Sequence, residues 1–385
     1  MEMIYIMDCF DDVEVEESHD GYFYKVSEVI KIIILGCLCG LKNVRQIHQW
    51  AVSDRVSEFL KEKFAIERVP CYYWMLCLLK IVKPESLNDC FKRWVSGFTP
   101  AYEPEAEHQE RDNLTVSVDG KSVRSTGKMK KYQGNALHIV SAQLAELGLT
   151  FAQQTVDSKS NEIPAAQALL KELDIRGCLV TADAMNCQTN TAQIILEGKG
   201  DYLLCAKDNH ERTRVAVENA FHDEKNKDKV TQAESHDVKH GRDEKRTAYV
   251  IPFAAMNVEK LCEENWPKLA CIGAIHREFE TNEKKTDEWH YYISSRELTA
   301  EGLLHAARME WTVETMHWLL DVRFEEDKCR VEDTNVQRNL NMLRKLSLNL
   351  IRLFKERTKS KKAFSHIMLD CLLDPYHLMK LIPEN

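Results

Sequence analysis

The sequence lacks the marks of several common protein classes. None of its thirteen cysteines forms a Cys-x-x-Cys pair, and Cys37-x-Cys39 sits in an apolar, helix-like run, so zinc-finger spacing is absent. Scattered cysteines without a secretion signal read as reduced, buried thiols. No apolar run reaches membrane-spanning length. The longest, from Val26 to about Leu41, is interrupted by Glu28 and Lys31. Acids (Asp11, Asp12, Glu14, Glu16, Glu17) precede it, where a signal peptide would be basic. A soluble intracellular protein with no membrane partner is expected. There is no internal repeat and no long low-complexity tract. Excess positive charge is also missing. The formal net charge is −9, which weighs mildly against a small nucleic-acid-binding module, although the charge is unevenly distributed.

A chain of 385 residues can form two or three domains with a sizeable core. Residues 1–96 read as helical, with apolar residues at helix spacing in Val26–Leu41 and around Trp74–Leu79, punctuated by Pro70 and Pro84. Residues 97–112, with two prolines, a glycine and many acids, read as a linker. From Leu114 the pattern becomes strand (114–119), strand (136–143), strand (149–156), helix (162–173), strand (178–183), helix (188–198), strand (201–206) and a helix from about His210. Three antiparallel strands followed by alternating helices and strands is the order of a ribonuclease-H-like mixed sheet. Residues from about 225 to 295 read as a β-rich insertion, with strand-like runs near 246–251, 269–279 and 289–295. Helices resume near Ala300. The expected α/β catalytic domain therefore spans 113–357, and 358–385 form a helical tail.

Three carboxylates stand out. Asp119 ends the alternating run Leu114–Val118, and Gly120 after it suggests a sharp turn. Asp183 ends the apolar run Cys178–Ala182, as in a buried central strand. Ligands of open α/β sheets bind at the carboxyl ends of such strands. Taken singly, Asp119 could be a turn residue and Asp183 a helix cap. Glu314 shares a helix face with Glu310, His317, Asp321 and Glu325, opposite Val313, Met316, Leu320 and Phe324. That face could simply be solvated, yet its like-charge pairs at i, i+4 would be relieved by a cation or a basic partner. Trp311 and Trp318 flank Glu314 and could wall a site. Together the three acids match two-metal phosphoryl chemistry, with two Mg²⁺ (or Mn²⁺) ions held by carboxylates from different elements. Asn161-Glu162, after the third strand, could order the site or merely start a helix.

The same residues carry a family resemblance. Val118-Asp-Gly-Lys121, Leu137-His-Ile-Val-Ser-Ala142, Lys159-Ser-Asn-Glu-Ile163, Thr181-Ala-Asp-Ala-Met185, Gly200-Asp-Tyr-Leu-Leu204, His240-Gly-Arg242, Trp311–Val322 and Phe324-Glu-Glu-Asp327 occur in order along nearly the whole chain. They resemble the DDE transposases of the ISAs type, including the H-repeat-associated proteins. The resemblance implies that Asp119, Asp183 and Glu314 are the catalytic triad of a ribonuclease-H-like core, preceded by a transposase-associated helical domain. The chain departs from the family pattern at Glu310-Trp311, at Asp208-Asn209-His210 and at Pro70-Cys-Tyr-Tyr-Trp74.

The expected function is metal-dependent cleavage of DNA at insertion-sequence ends and strand transfer into target DNA, by a homodimer on double-stranded DNA in the bacterial cytoplasm, at the nucleoid. Candidate phosphate contacts fall in clusters: Lys121, Arg124, Lys128, Lys130 and Lys131; then His240, Arg242, Lys245 and Arg246; then carboxyl-terminal residues including Arg344 and Lys345. Each cluster could equally be a solvated face. Two rivals remain open. One is a metal nuclease without joining activity, and the other is a decayed DNA-binding relic or regulator. A glycosidase fits poorly, because its chemistry needs neither a third acid nor basic clusters.

Overall fold

The computed structural model describes residues 6–16, 23–103, 110–128, 136–156, 161–239, 242–256, 258, 261–280 and 285–382. Five helices open the chain: α1 (Val26–Leu38), α2 (Val44–Ala51), α3 (Asp54–Phe64), α4 (Tyr72–Ile81) and α5 (Pro84–Ser96). Asn43 starts α2 by accepting the Gln46 backbone N–H at 2.9 Å. Pro84 opens α5, where its missing N–H costs nothing. α1 is buried on nearly every side, which explains its almost continuous apolar sequence.

The core follows as β1 (Thr115–Val123), β2 (Leu137–Leu144), β3 (Leu149–Thr155), α6 (Glu162–Glu172), β4 (Leu179–Ala182), α7 (Thr189–Glu197), β5 (Asp201–Ala206) and α8 (Glu211–His222). Then come β6 (Thr231–Lys239), β7 (Arg242–Pro252), β8 (Cys271–Glu280), β9 (Lys285–Ser294), α9 (Ala300–Glu310), α10 (Thr312–Phe324), α11 (Thr334–Thr358), α12 (Phe364–Leu373) and α13 (Leu378–Leu381). Among the described residues, nine strands form one sheet in the order β3-β2-β1-β4-β5-β9-β8-β7-β6. β1 runs antiparallel to β2 and parallel to β4, and β4 is parallel to β5. This is the ribonuclease-H-like arrangement.

The insertion does not form a separate layer. β9 pairs antiparallel with β5, so β6–β9 prolong the core sheet. It holds four strands where three strand-like runs are expected. β6 escapes notice because its sequence, Thr-Gln-Ala-Glu-Ser-His-Asp-Val-Lys, has no apolar face, as suits an edge strand. A second correction concerns β1, which does not end at Asp119 but continues to Val123.

α11 lies between the helical amino-terminal region and the sheet. Residues from Asn339 to Ile351 are buried all round, and it packs on α1, α4, α5 and β3. None of the thirteen cysteines is joined in a disulfide. Among the described residues, no helix is long and apolar enough to cross a membrane.

Candidate active site

The parallel register of β1 and β4 aligns Ser117 with Thr181 and Val118 with Ala182. The next residue after each of Val118 and Ala182 is an aspartate, still within β1 in one case and just past β4 in the other. Neighbouring strands lie about 4.8 Å apart, so Asp119 and Asp183 emerge side by side at the carboxyl end of the pair. Glu162, in the first turn of α6, comes in from the side. Carboxylate oxygens of Asp119, Glu162 and Asp183 lie within 4.8 Å of one another.

A chain of hydrogen bonds fixes this group. Asp183 Oδ1 accepts the Asn186 backbone N–H at 3.1 Å and its side-chain Nδ2 at 2.9 Å. Asp183 is thus both a turn cap and a site carboxylate. The same Asn186 Nδ2 donates to Glu162 Oε1 at 2.9 Å. Glu162 Oε2 lies 2.7 Å from His138 Nε2, and His138 Nδ1 lies 2.8 Å from the Ser122 hydroxyl. Asn209 steadies the loop, donating to the Ala184 carbonyl at 2.6 Å. Gly120 has a different reason from the turn expected of it. A Cβ there would stand 2.2 Å from Glu162 Oε2 and 2.3 Å from His138 Nε2. The histidine–glutamate pair packs directly on the strand backbone, and only glycine leaves room.

α10 reaches the site through His317, whose Nδ1 is 3.3 Å from Asp119 Oδ2. Glu314 lies one turn earlier on the same face and is exposed. It is not one of the three clustered carboxylates, and its route to the site is the helix that His317 anchors. Glu310, at the end of α9, belongs to the same electrostatic neighbourhood. Burial pushes its carboxyl up to about 8; Lys207 opposes this, while Asp183, Asp119 and Glu314 add to it. Burial also raises Asp183, with Glu162 and Asp119 adding to the shift and the Asn186 hydrogen bonds opposing it. Crowded, all-oxygen donors whose ionisation is opposed by one another fit a hard divalent cation, which favours carboxylate ligands and would relieve the repulsion.

The expected phosphate contacts fare differently. Arg124 is exposed. Lys121 is mostly covered, with its Nζ 2.7 Å from Asp321 and 2.9 Å from Glu326. Arg344 and Lys345 are corrected. Both are fully buried in α11, and a buried cation cannot meet DNA. Arg344 pairs with Glu326 at 3.5 Å and donates to the Lys42 carbonyl at 3.2 Å. Lys345 Nζ donates to Ser141 Oγ at 2.7 Å and Gln153 Oε1 at 2.8 Å, and burial lowers it to about 7. Lys130, Lys131 and His240 lie outside the described residues, as do the side chains of Lys128 and Arg242. His138 and Asn186 were given no role by sequence reasoning, and His317 was placed only on the helix face of Glu314. His138 had a signal, as a polar residue inside an apolar strand.

Comparison with known proteins decides the family. Residues 110–350 match the family model described as "Transposase DDE domain". The chain belongs to the DDE transposase family. Residues 7–95 match a second model, described as DDE_Tnp_1-associated. Among relatives of this transposase, "Putative protein YbfL" of Escherichia coli K12 is 30% identical over 350 residues, covering 88% of this chain and 89% of that one. "H repeat-associated putative transposase YhhI" of the same strain is 29% identical with the same coverage, which agrees with the group implied by the sequence motifs. A cryo-EM structure of the piggyBac transposase synaptic complex with hairpin DNA superposes with a TM-score of 0.45 at 10% identity, covering 99% of this chain and 83% of that one.

Proposed function

We propose that this transposase cleaves DNA phosphodiesters at the ends of its element and joins the freed 3′ ends to target DNA. The observation that carries this reading is the convergence of Asp119, Asp183 and Glu162 at the end of the parallel β1–β4 pair. Asp119, Asp183 and, from α10, Glu314 would hold two Mg²⁺ or Mn²⁺ ions. When bound, such ions activate water and stabilise the leaving oxygen. The chain's own residues prepare the site. Asn186 orients Asp183, His317 orients Asp119, and Glu162 is held between Asn186 and His138. No serine or tyrosine nucleophile is needed. Double-stranded DNA, as element ends and target, is the partner. A homodimer acting in the cytoplasm at the nucleoid would bring two ends together. Arg124, with Lys128, Lys130, Lys131, His240 and Arg242, would supply phosphate contacts.

The test is incubation of the purified chain with a labelled element end, with Mg²⁺, with Mn²⁺ and without metal, beside Asp183→Asn. Metal-dependent nicks and strand-transfer products are expected from the wild type only. A single observation favours a second reading, a relic that binds DNA without chemistry: Glu314 stands apart from the three clustered acids. DNA binding by the wild type with no nick under either metal would establish that second reading.

A further inference from the structure

The two faces of α10 are both apolar in part. Val313, Met316, Leu320 and Phe324 are buried in the core. On the other side, Trp311, Trp318 and Val322 are 44%, 54% and 43% exposed. Glu314 falls in the same stripe, since residues three or four apart stack along one helix face. The stripe therefore passes His317, the α10 residue that meets Asp119, and runs toward the end of α10.

At that end a groove of about 900 Å³ opens between the α2 and α4 helices and the segment joining α10 to α11. Lys42, Arg45, Lys80, Lys328 and Arg330 line it, against the acids Glu325, Glu332 and Asp333. Some of these pair across the groove: Glu325 with Lys42 and Lys328, and Asp333 with Lys80 at 3.6 Å. The balance is still positive, in a chain of net charge −9. Tyr72 and Tyr73 add aromatic rings. Tyr73 is 65% exposed, and the Arg45 guanidinium sits 4.8 Å above the Tyr72 ring.

We infer that the exposed face of α10 and this basic, aromatic groove form one track for a single DNA strand leading away from the acid cluster. The inference rests on the proposed DNA cleavage at that cluster. Cations that follow the phosphates and rings on which bases stack are the two parts of a single-strand site. A groove of this volume suits a short stretch of nucleotides rather than a duplex. From Glu314 to Phe324 the helix rises roughly 15 Å, about four or five steps of a strand at 3.4 Å each. A second copy of the chain is a poorer occupant, because the centres of protein interfaces are depleted of charge and this groove is lined with it.

The experiment is fluorescence anisotropy of a labelled twelve-nucleotide thymidine strand with the full chain in EDTA, which separates strand binding from cleavage. Tyr73→Ala and Trp318→Ala should each weaken binding about tenfold, the scale of one lost stacked base. Tyr73→Phe, which keeps the ring, should restore it. Arg45→Ala combined with Lys80→Ala should flatten the salt dependence. Binding in EDTA is read without any cleavage, so a failed cleavage assay leaves this measurement standing. Affinities of Tyr73→Ala and Trp318→Ala within twofold of wild type would overturn the inference. So would a Trp318→Ala chain that changes its sedimentation from dimer to monomer while keeping its strand affinity, since the stripe would then be a contact between copies.

Discussion

Two groups of carboxylates lie along β1 and beside α10, and they are treated in opposite ways. Glu326 is fully buried, yet Lys121 and Arg344 overcome the effect of burial and hold its carboxyl at about 2. Asn341 adds a hydrogen bond of 2.7 Å. Around Asp119, carboxylates crowd one another instead. Asp183 is raised by burial and by its acidic neighbours, and Glu310 reaches about 8. The first group is complete within the chain, as a structural ion pair must be when water is excluded. The second is short of positive charge, and the proposed function has that charge arriving from outside.

Asp183→Asn should break the second group most severely. Metal-dependent nicking should fall to the level of the metal-free control. Without metal the same variant should melt higher than the wild type, because it removes a carboxylate whose ionisation the folded state opposes. Mn²⁺ should raise the melting temperature of the wild type and leave the variant unmoved. Equal metal-induced shifts in both would exclude Asp183 as a ligand. The matching change in the first group is Glu326→Gln, which takes from Lys121 and Arg344 the buried carboxylate they share and leaves Arg344 without an anionic partner. A loss of about 3–5 kcal/mol in chemical denaturation is expected, and metal should not rescue it.

Smaller effects sharpen the contrast. Gly120→Ala forces a methyl group into the Glu162–His138 pair. It should cost about 1–3 kcal/mol as overpacking and also weaken Mn²⁺ binding by calorimetry. Asn186→Ala should reduce nicking about 10–100-fold, the usual effect of losing a residue that orients a ligand. Its DNA affinity should be unchanged. Lys345→Met probes pH. Lys345 has a folded pKa of about 7 against an ordinary 10.5. Between these values the unfolded chain binds the proton and the native chain does not, so this residue's contribution to stability rises with pH. The stability of wild type relative to Lys345→Met should therefore increase from pH 7 toward 10.5, and a flat difference would contradict the burial argument.

Strands β1 to β5 were readable from sequence because each buries an apolar face. β6 was not, since this edge strand sets only Ala233, Ser235 and Asp237 against α9 and so carries no apolar period-two signal. Asp119 and Asp183 were readable because a strand end is a local feature. For Glu162 the sequence left ordering the site and starting a helix equally open, because its place beside them depends on how α6 packs. Arg344 and Lys345 were misread as surface charge. From Asn339 to Ile351 α11 is buried all round, so that stretch has no polar stripe from which a helical wheel could assign them.

That burial of α11 has a consequence for how the protein unfolds. Its amino-terminal cover and its sheet-side cover are separate stretches of sequence, and neither leaves a dry helix behind when removed. Calorimetry should show one cooperative transition for the whole chain. A fragment beginning at Leu114 should aggregate rather than fold as an independent nuclease module.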